Sequence, residues 1–484
     1  MGQYRVKKMK YEFKAHPLMI FGLLRPFWFF LVIPVVKVVL QFLITGKFGS
    51  LLFWECIALI ALILIGIFRF KMYSVEVEGE KITVKQGFLL KRSATARISQ
   101  LSSVEESRNP FDRIFGAVTY EINTEAGLIR KSDFKFKLSA HDGKRLSSLL
   151  YGGANNVTVK FSALKLAVMA ATTSSVITGI IVSVPVIKKT GDLLGIAIGE
   201  MLFDQISDTA HKIQLYFPPI VNIITIVFIA AYFIAFCYSL LKYIKFRLGV
   251  DDEKVAVSAG FFVRKRTYFK KNAVNDIKIE QTPLMRLFRL YSLSASVAGF
   301  GDSRKETAAV VPCGKKAKIE EYACSFFPFS RIRAEGIAPK HSPVTRSRFL
   351  FKPLIFSGII IGIAVAMVVI FAYFDRLMLF FMFVGLVVVL YYADLCVYNY
   401  NNSCLSIGEK SVMAKGIKGL GTREIRCPKE KVGEIKLIRY PADLKHNTCK
   451  AKITVRSEGA DRLRILHLDY NDAKKEIFDG FRSE

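Results

Sequence analysis

From Tyr73 onward apolar and polar residues alternate as a half-buried strand requires. Val75, Val77, Ile82 and Val84 stand at every second position among Glu76, Glu78, Thr83 and Lys85. Glu78-Gly79-Glu80 supplies a turn between two such strands. Further strands are expected at 119–123 and 134–138. The period then changes: behind Ser139 or Asp142, either of which caps a helix, Leu146, Leu149 and Leu150 recur on one face. Strands followed by one amphipathic helix define a β module over residues 72–152.

The module recurs, and a repeat fixes domain organisation before any fold is considered. Asn109-Pro110-Phe111-Asp112-Arg113-Ile114-Phe115 returns 173 positions later as Thr282-Pro283-Leu284-Met285-Arg286-Leu287-Phe288. The same offset links Gly87 to Gly260, Leu101 to Val274 and Val104 to Ile277. The second module, 243–327, closes on a helix with Ile319, Tyr322 and Phe326 on one side. A worn third copy, 398–484, matches through Gly416, Val432, Ile435 and Pro441, at offsets of 156 and then 158 from the second. Its closing helix carries Ala473, Ile477, Phe478 and Phe481. Leu444-Lys445-His446 replaces the Arg-Ile-Phe of the first copy, so specialisation is expected there.

Between the modules lie long apolar runs in pairs: 26–44 with 51–68, 161–187 with 216–241, and 350–372 with 377–397. Each approaches or exceeds the length that crosses a hydrocarbon core of about 30 Å as a helix. The expected fold class is an α+β membrane protein with six transmembrane helices in three hairpins, each followed by a cytoplasmic antiparallel β module. Residues 1–25 form a basic N-terminus, 188–215 an outer connection with amphipathic character, and 328–349 a basic, proline-containing linker. The net charge is +30, yet the three outer connections sum to zero. Retention of Lys and Arg on the cytoplasmic side then sets both termini inside. Gly358 and Gly362 form a G-x-x-x-G that permits close helix contact.

Chemistry-bearing residues are sparse. Lys37 and Glu55 are the charges well inside the first hairpin, at similar depth. They read either as a hairpin-locking pair or as an ion relay. The eight cysteines show no C-x-x-C spacing and read as small buried hydrophobes. The six histidines are scattered, and no P-loop, H-E-x-x-H or G-x-S-x-G occurs. His446, Cys449 and His467 are the residues that a metal site would need to gather; none is expected, nor any cofactor. Basic clusters at Lys91-Arg92 and, in the equivalent turn, Arg264-Lys265-Arg266 remain. They fit either specific lipid-phosphate contacts or the general attraction of an anionic leaflet. The charge follows the loops that topology makes basic, so nucleic acid is not expected as a partner.

Paired apolar helices, an early Gly, a loop of the N-P-F-D-R-I-F type and a later Gly (Gly127, with Gly299 and Gly459 in the copies) resemble bacterial pleckstrin-homology domains. The three-fold arrangement on six helices resembles the YdbT-type membrane proteins. That resemblance implies about seven antiparallel strands in a bent sheet, capped by the C-terminal helix, and no catalytic residues. The expected function is a non-enzymatic integral membrane protein whose modules bind lipid headgroups, each other or a smaller protein of the same type. A scaffold or envelope-associated factor of the bacterial cell membrane fits this description. A transporter or export component and a membrane-bound enzyme acting on lipid are the alternatives.

Overall fold

A computed structural model describes residues 10–20, 52–87, 91–124, 132–151, 158–173, 219–297, 308–332, 336–339, 343–370, 375–455 and 462–482. The first module contains β1 (Lys10–Lys14), helix α1 (Leu52–Lys71), β2 (Ser74–Glu78), β3 (Lys81–Gln86), β4 (Arg92–Arg97) and β5 (Leu101–Arg108). A one-turn corner helix α2 (Pro110–Ile114), β6 (Ala117–Thr124), β7 (Phe134–Ser139) and a closing helix α3 (Ala140–Tyr151) complete it. The second has β8 (Thr158–Lys160), α4 (Ala163–Thr173), α5 (Pro219–Tyr243), β9 (Arg247–Val250), β10 (Lys254–Ala259), β11 (Arg264–Lys270) and β12 (Val274–Gln281). Its corner α6 (Pro283–Leu287), β13 (Leu290–Val297), β14 (Ala308–Lys315) and closing helix α7 (Lys316–Phe326) follow. The third comprises α8 (Pro343–Ile370), α9 (Asp375–Asn402), β15 (Cys404–Ile407), β16 (Ser411–Lys418), β17 (Gly421–Pro428) and β18 (Val432–Ile438). It ends with α10 (Pro441–Leu444), β19 (Thr448–Val455), β20 (Arg462–Asp469) and α11 (Tyr470–Arg482).

The alternation read from the sequence is the burial pattern observed. Val75, Val77, Ile82 and Val84 face the first core with Tyr120, Phe136 and Leu146, the last from the closing helix. Burying each such side chain contributes about 1.5–3 kcal/mol, so the helix is held by its apolar face. The Ser139 hydroxyl accepts the Asp142 N–H at 3.1 Å, which caps α3. Equivalent cores form around Ile277, Leu293 and Ile319, and around Ile425, Ile453 and Ile465.

Two features of the topology were not expected. First, each module's opening strand precedes its apolar segment. Strand β1 pairs with β2 across that segment, β8 pairs with β9, and Ile337 bridges to Leu405 ahead of β16. The apolar helices are therefore insertions between the first and second strands of a module. Second, the modules share sheets. Strand β5 pairs with β11, making a seven-stranded sheet in the order β7-β6-β5-β11-β10-β9-β8. Strand β12 pairs with β17, making a six-stranded sheet in the order β14-β13-β12-β17-β16-β15. Two antiparallel seams join the three modules edge to edge.

The expectation of six transmembrane helices in three hairpins is overturned. Among the described residues no helix is long and apolar enough to cross a membrane, and the inside–outside topology built on those helices falls with it. Parts of the apolar runs are taken up by the modules themselves. Phe161 and Leu166 of the second pair pack on a module core, and Ala231 and Ala235 on α5 and Leu395 and Cys396 on α9 are buried. Helix α4 spans 11 residues. Apolar periodicity alone does not separate a run that faces lipid from one that faces protein. The run 26–44, the connection 188–215 and Gly127, Gly299 and Gly459 lie outside the described residues.

Candidate functional site: the apolar corners and the seams

The site is built from the proline loop. Pro110 starts α2 at the position where a missing N–H costs nothing, and Asp112 caps it, its carboxylate accepting the Asn109 N–H at 3.3 Å. Asp112 is buried, accepts the Thr119 hydroxyl at 3.3 Å, and pairs with Lys137 Nζ at 2.5 Å. The acid thereby ties the corner to β6 and β7. In the second module Met285 occupies this position, and the Thr282 hydroxyl accepts its N–H at 3.4 Å. In the third the acid returns as Asp443, 3.1 Å from Arg348 Nη1 and 3.8 Å from His467 Nδ1. Sequence reading named the loop but not its buried acid. The signal was an acid three residues after the cap.

With Asp112 and Met285 turned inward, the other side chains of the turn point out. Phe111 is 72% exposed and Ile114 75%, and Leu287 is also 75% exposed. Phe115, Leu284, Phe288, Tyr440 and Leu444 are exposed as well. Each of the first two corners lies beside the β-turn of the following module. Arg113 Nη2 donates to the carbonyls of Phe261 (2.5 Å) and Phe262 (2.8 Å), whose side chains are exposed. Burial beside Arg264 and Arg108 lowers the Arg113 pKa from its ordinary value. At the second junction the turn carries exposed Leu420.

These turns sit at apolar helices. The Gly260 and Phe261 N–H groups donate to the carbonyls of Ile244 and Leu241 at the end of α5. Tyr391 Oη on α9 donates to the Leu420 carbonyl at 2.9 Å, and Arg286 pairs with Asp394 of the same helix at 2.6 Å. Gly260 is required where it stands. Its φ is +109°, and an added Cβ would lie 2.0 Å from the Val263 carbonyl oxygen. The matching left-handed glycine of the third module is Gly419 (φ +66°), whereas Gly416 lies inside β16.

The predicted basic residues separate into two environments. Lys91 and Arg92 are exposed, Arg92 on β4 at a sheet edge. Arg264, Lys265 and Arg266 lie on β11, the strand of the first seam. Lys265 pairs with Glu105 across that seam at 2.7 Å, and Arg266 Nη1 donates to Tyr268 Oη at 3.3 Å. Arg423 pairs with Glu280 across the second seam. Glu55 lies on α1, while its expected partner Lys37 lies outside the described residues.

A cavity of about 390 Å³ opens at the first seam, lined by Ser103, Tyr151, Lys254, Tyr268, Phe269 and Lys270 among others. Tyr151 stacks on Tyr268 with ring centroids 4.0 Å apart, and burial pushes both phenols above their ordinary pKa. Among the described residues no group of three His, Cys, Asp or Glu side chains is placed to hold a metal. Burial pushes the Cys427 thiol up to about 12 and that of Cys449 to about 11, which keeps both protonated and unreactive.

Residues 28–153 and 194–323 match the family described as Bacterial PH domain. The UPF0699 transmembrane protein YdbT of Bacillus subtilis (strain 168) is 22% identical over 342 residues, which are 63% of this chain. The match spans 66% of that relative's length, just under two thirds. No solved structure matches.

Proposed function

This chain belongs to the Bacterial PH domain family, and from that membership we propose a membrane-associated, non-enzymatic protein whose joined modules form a platform on an anionic lipid surface. The observation that carries the reading is the pair of exposed apolar corners, Phe111-Ile114-Phe115 and Leu284-Leu287-Phe288, the first beside Arg108 and Arg264 and the second joined to an apolar helix through Arg286 and Asp394. Apolar side chains rimmed by cations enter the headgroup boundary, while the cations hold anionic lipid. In this reading Lys91 and Arg92 are the headgroup contacts most open to solvent. Arg264, Lys265 and Arg266 both brace the seam and add to the field. The similarity to a protein whose name includes "transmembrane" supports a membrane location.

Flotation of the full chain with liposomes tests this. Binding to phosphatidylglycerol-containing vesicles is expected to exceed binding to neutral ones and to fall with salt. Replacing Lys91 and Arg92 by Ala removes about 1 kcal/mol each near an anionic surface, about thirtyfold in partitioning together. Phe111→Ser with Ile114→Ser and Phe115→Ser lowers binding to both vesicle types. Equal recovery of all variants with all vesicles would overturn the reading.

A further inference from the structure

The two seams follow one rule, and the rule has an unused end on each side of the chain. In the first, β5 of one module meets β11 of the next with Val104 opposite Tyr268. In the second, β12 meets β17 with Ile277 opposite Arg426. Val104 and Ile277 differ by the repeat offset of 173. Tyr268 and Arg426 differ by 158, the offset that links Pro283 to Pro441. The two junctions therefore have the same strands and the same register. The counterpart of β11 and β17 in the first module is β4, which among the described residues pairs with β3 alone. The counterpart of β5 and β12 in the third module is β18, which among the described residues pairs with β19 alone. Each end thus presents one half of a junction that the chain builds twice internally.

We propose that β18 of one copy adds to β4 of a second copy, antiparallel, with Ile435 opposite Thr95. This register places Ala94 opposite Lys436 and Ala96 opposite Glu434, with Arg97 one position further along. An open strand edge offers a row of backbone donors and acceptors that another strand completes. Along β4, Arg92 to Thr95 and Arg97 are exposed, as are Gly433, Glu434 and Lys436 along β18. The contact would be weaker than the first seam, because Lys436 stands where Glu105 makes its ion pair with Lys265. The two surfaces differ, so the association is head-to-tail. It closes into a ring or continues as a chain rather than stopping at a face-to-face dimer. This inference is independent of whether the corners touch lipid.

Two differently tagged full-length copies test it, one carrying a photo-crosslinking phenylalanine at Thr95. Crosslinks are expected in the other copy at Glu434, Ile435 or Lys436. Ala94 is exposed, so its substitution leaves the fold intact. Ala94→Lys sets like charges opposite each other and lowers the crosslinked fraction, whereas Ala94→Glu raises it, each about two- to fivefold. Lys436→Glu in the other copy reverses the order of the two variants. Crosslinks confined to the same copy, to another segment or to a different protein would overturn the proposal. So would a yield indifferent to charge at position 94. Vesicle flotation of Ala94→Lys, expected not to fall below that of the parent chain even as its crosslinking falls, keeps this outcome distinct from the lipid reading.

Discussion

The corner acid shows how one position is solved three times within one chain. Lys137, Cys313 and His467 each stand three residues ahead of the first residue of a closing helix. The aligned corner positions are Asp112, Met285 and Asp443. The first module has an ion pair, the second two buried apolar side chains, and the third an acid between Arg348 and His467. Acid and cation are retained or lost together, as expected when an unpaired buried charge costs several kcal/mol. Asp112→Ala is therefore expected to cost about 2–3 kcal/mol, toward the lower end for a broken pair because half-buried Lys137 can rehydrate. Met285→Asp, which puts an acid at a fully buried position whose aligned residue 313 is a thiol and not a cation, is expected to cost at least as much. Urea unfolding of both variants measures this. A neutral Met285→Asp would show that the position reaches water.

At the scale of elements, the seam makes a demand that its own residues reveal. Gly421 opens β17, and a Cβ there would lie 2.5 Å from the Gln281 carbonyl oxygen of the neighbouring module. Gly421→Ala must push β12 and β17 apart and is expected to cost about 1–3 kcal/mol. Amide exchange should quicken most along those strands and less along β5 and β11; equal change in both seams would refute a local cause. Most of each module was legible beforehand, because Val75 to Val84 alternate locally and Leu146 to Leu150 recur at helical spacing. The offset of 173 carries over strand β5, corner α2 and strand β6 residue for residue. The seams were not legible. Tyr268 suits pairing with any neighbouring strand, and nothing local to it names Val104, more than 160 positions away. Arg264 to Arg266 were read as a basic cluster at a turn, and nothing local to them showed that they also line a seam. The opening strands were missed because β1 and β8 are short and separated from their partners by apolar segments. The six-helix reading failed where apolar length was taken as lipid exposure, although residues such as Leu395 and Cys396 face protein.

For the whole molecule, two seams make three modules an array in which each unit is stabilised by its neighbours. In such arrays stability is approximately the sum of intrinsic terms and nearest-neighbour interfaces. Among the described residues the middle module has a seam on both sides, through β11 and β12, whereas each outer module has one. Native-state amide exchange is therefore expected to be slowest along β10 to β13 and faster along β2 to β4 and β18 to β20. The same arrangement couples the modules. Asp112→Ala should quicken exchange in β11, across the seam, before it affects β19. Uniform exchange across all three cores, or a module that loosens without its neighbour, would show that the seams are passive contacts. Head-to-tail association would add a concentration dependence confined to the ends. Raising the protein concentration should slow exchange in β4 and β18 while leaving β11 and β12 unchanged, since their partners belong to the same chain. An end effect absent over a hundredfold concentration range would leave the internal seams intact and remove the external one.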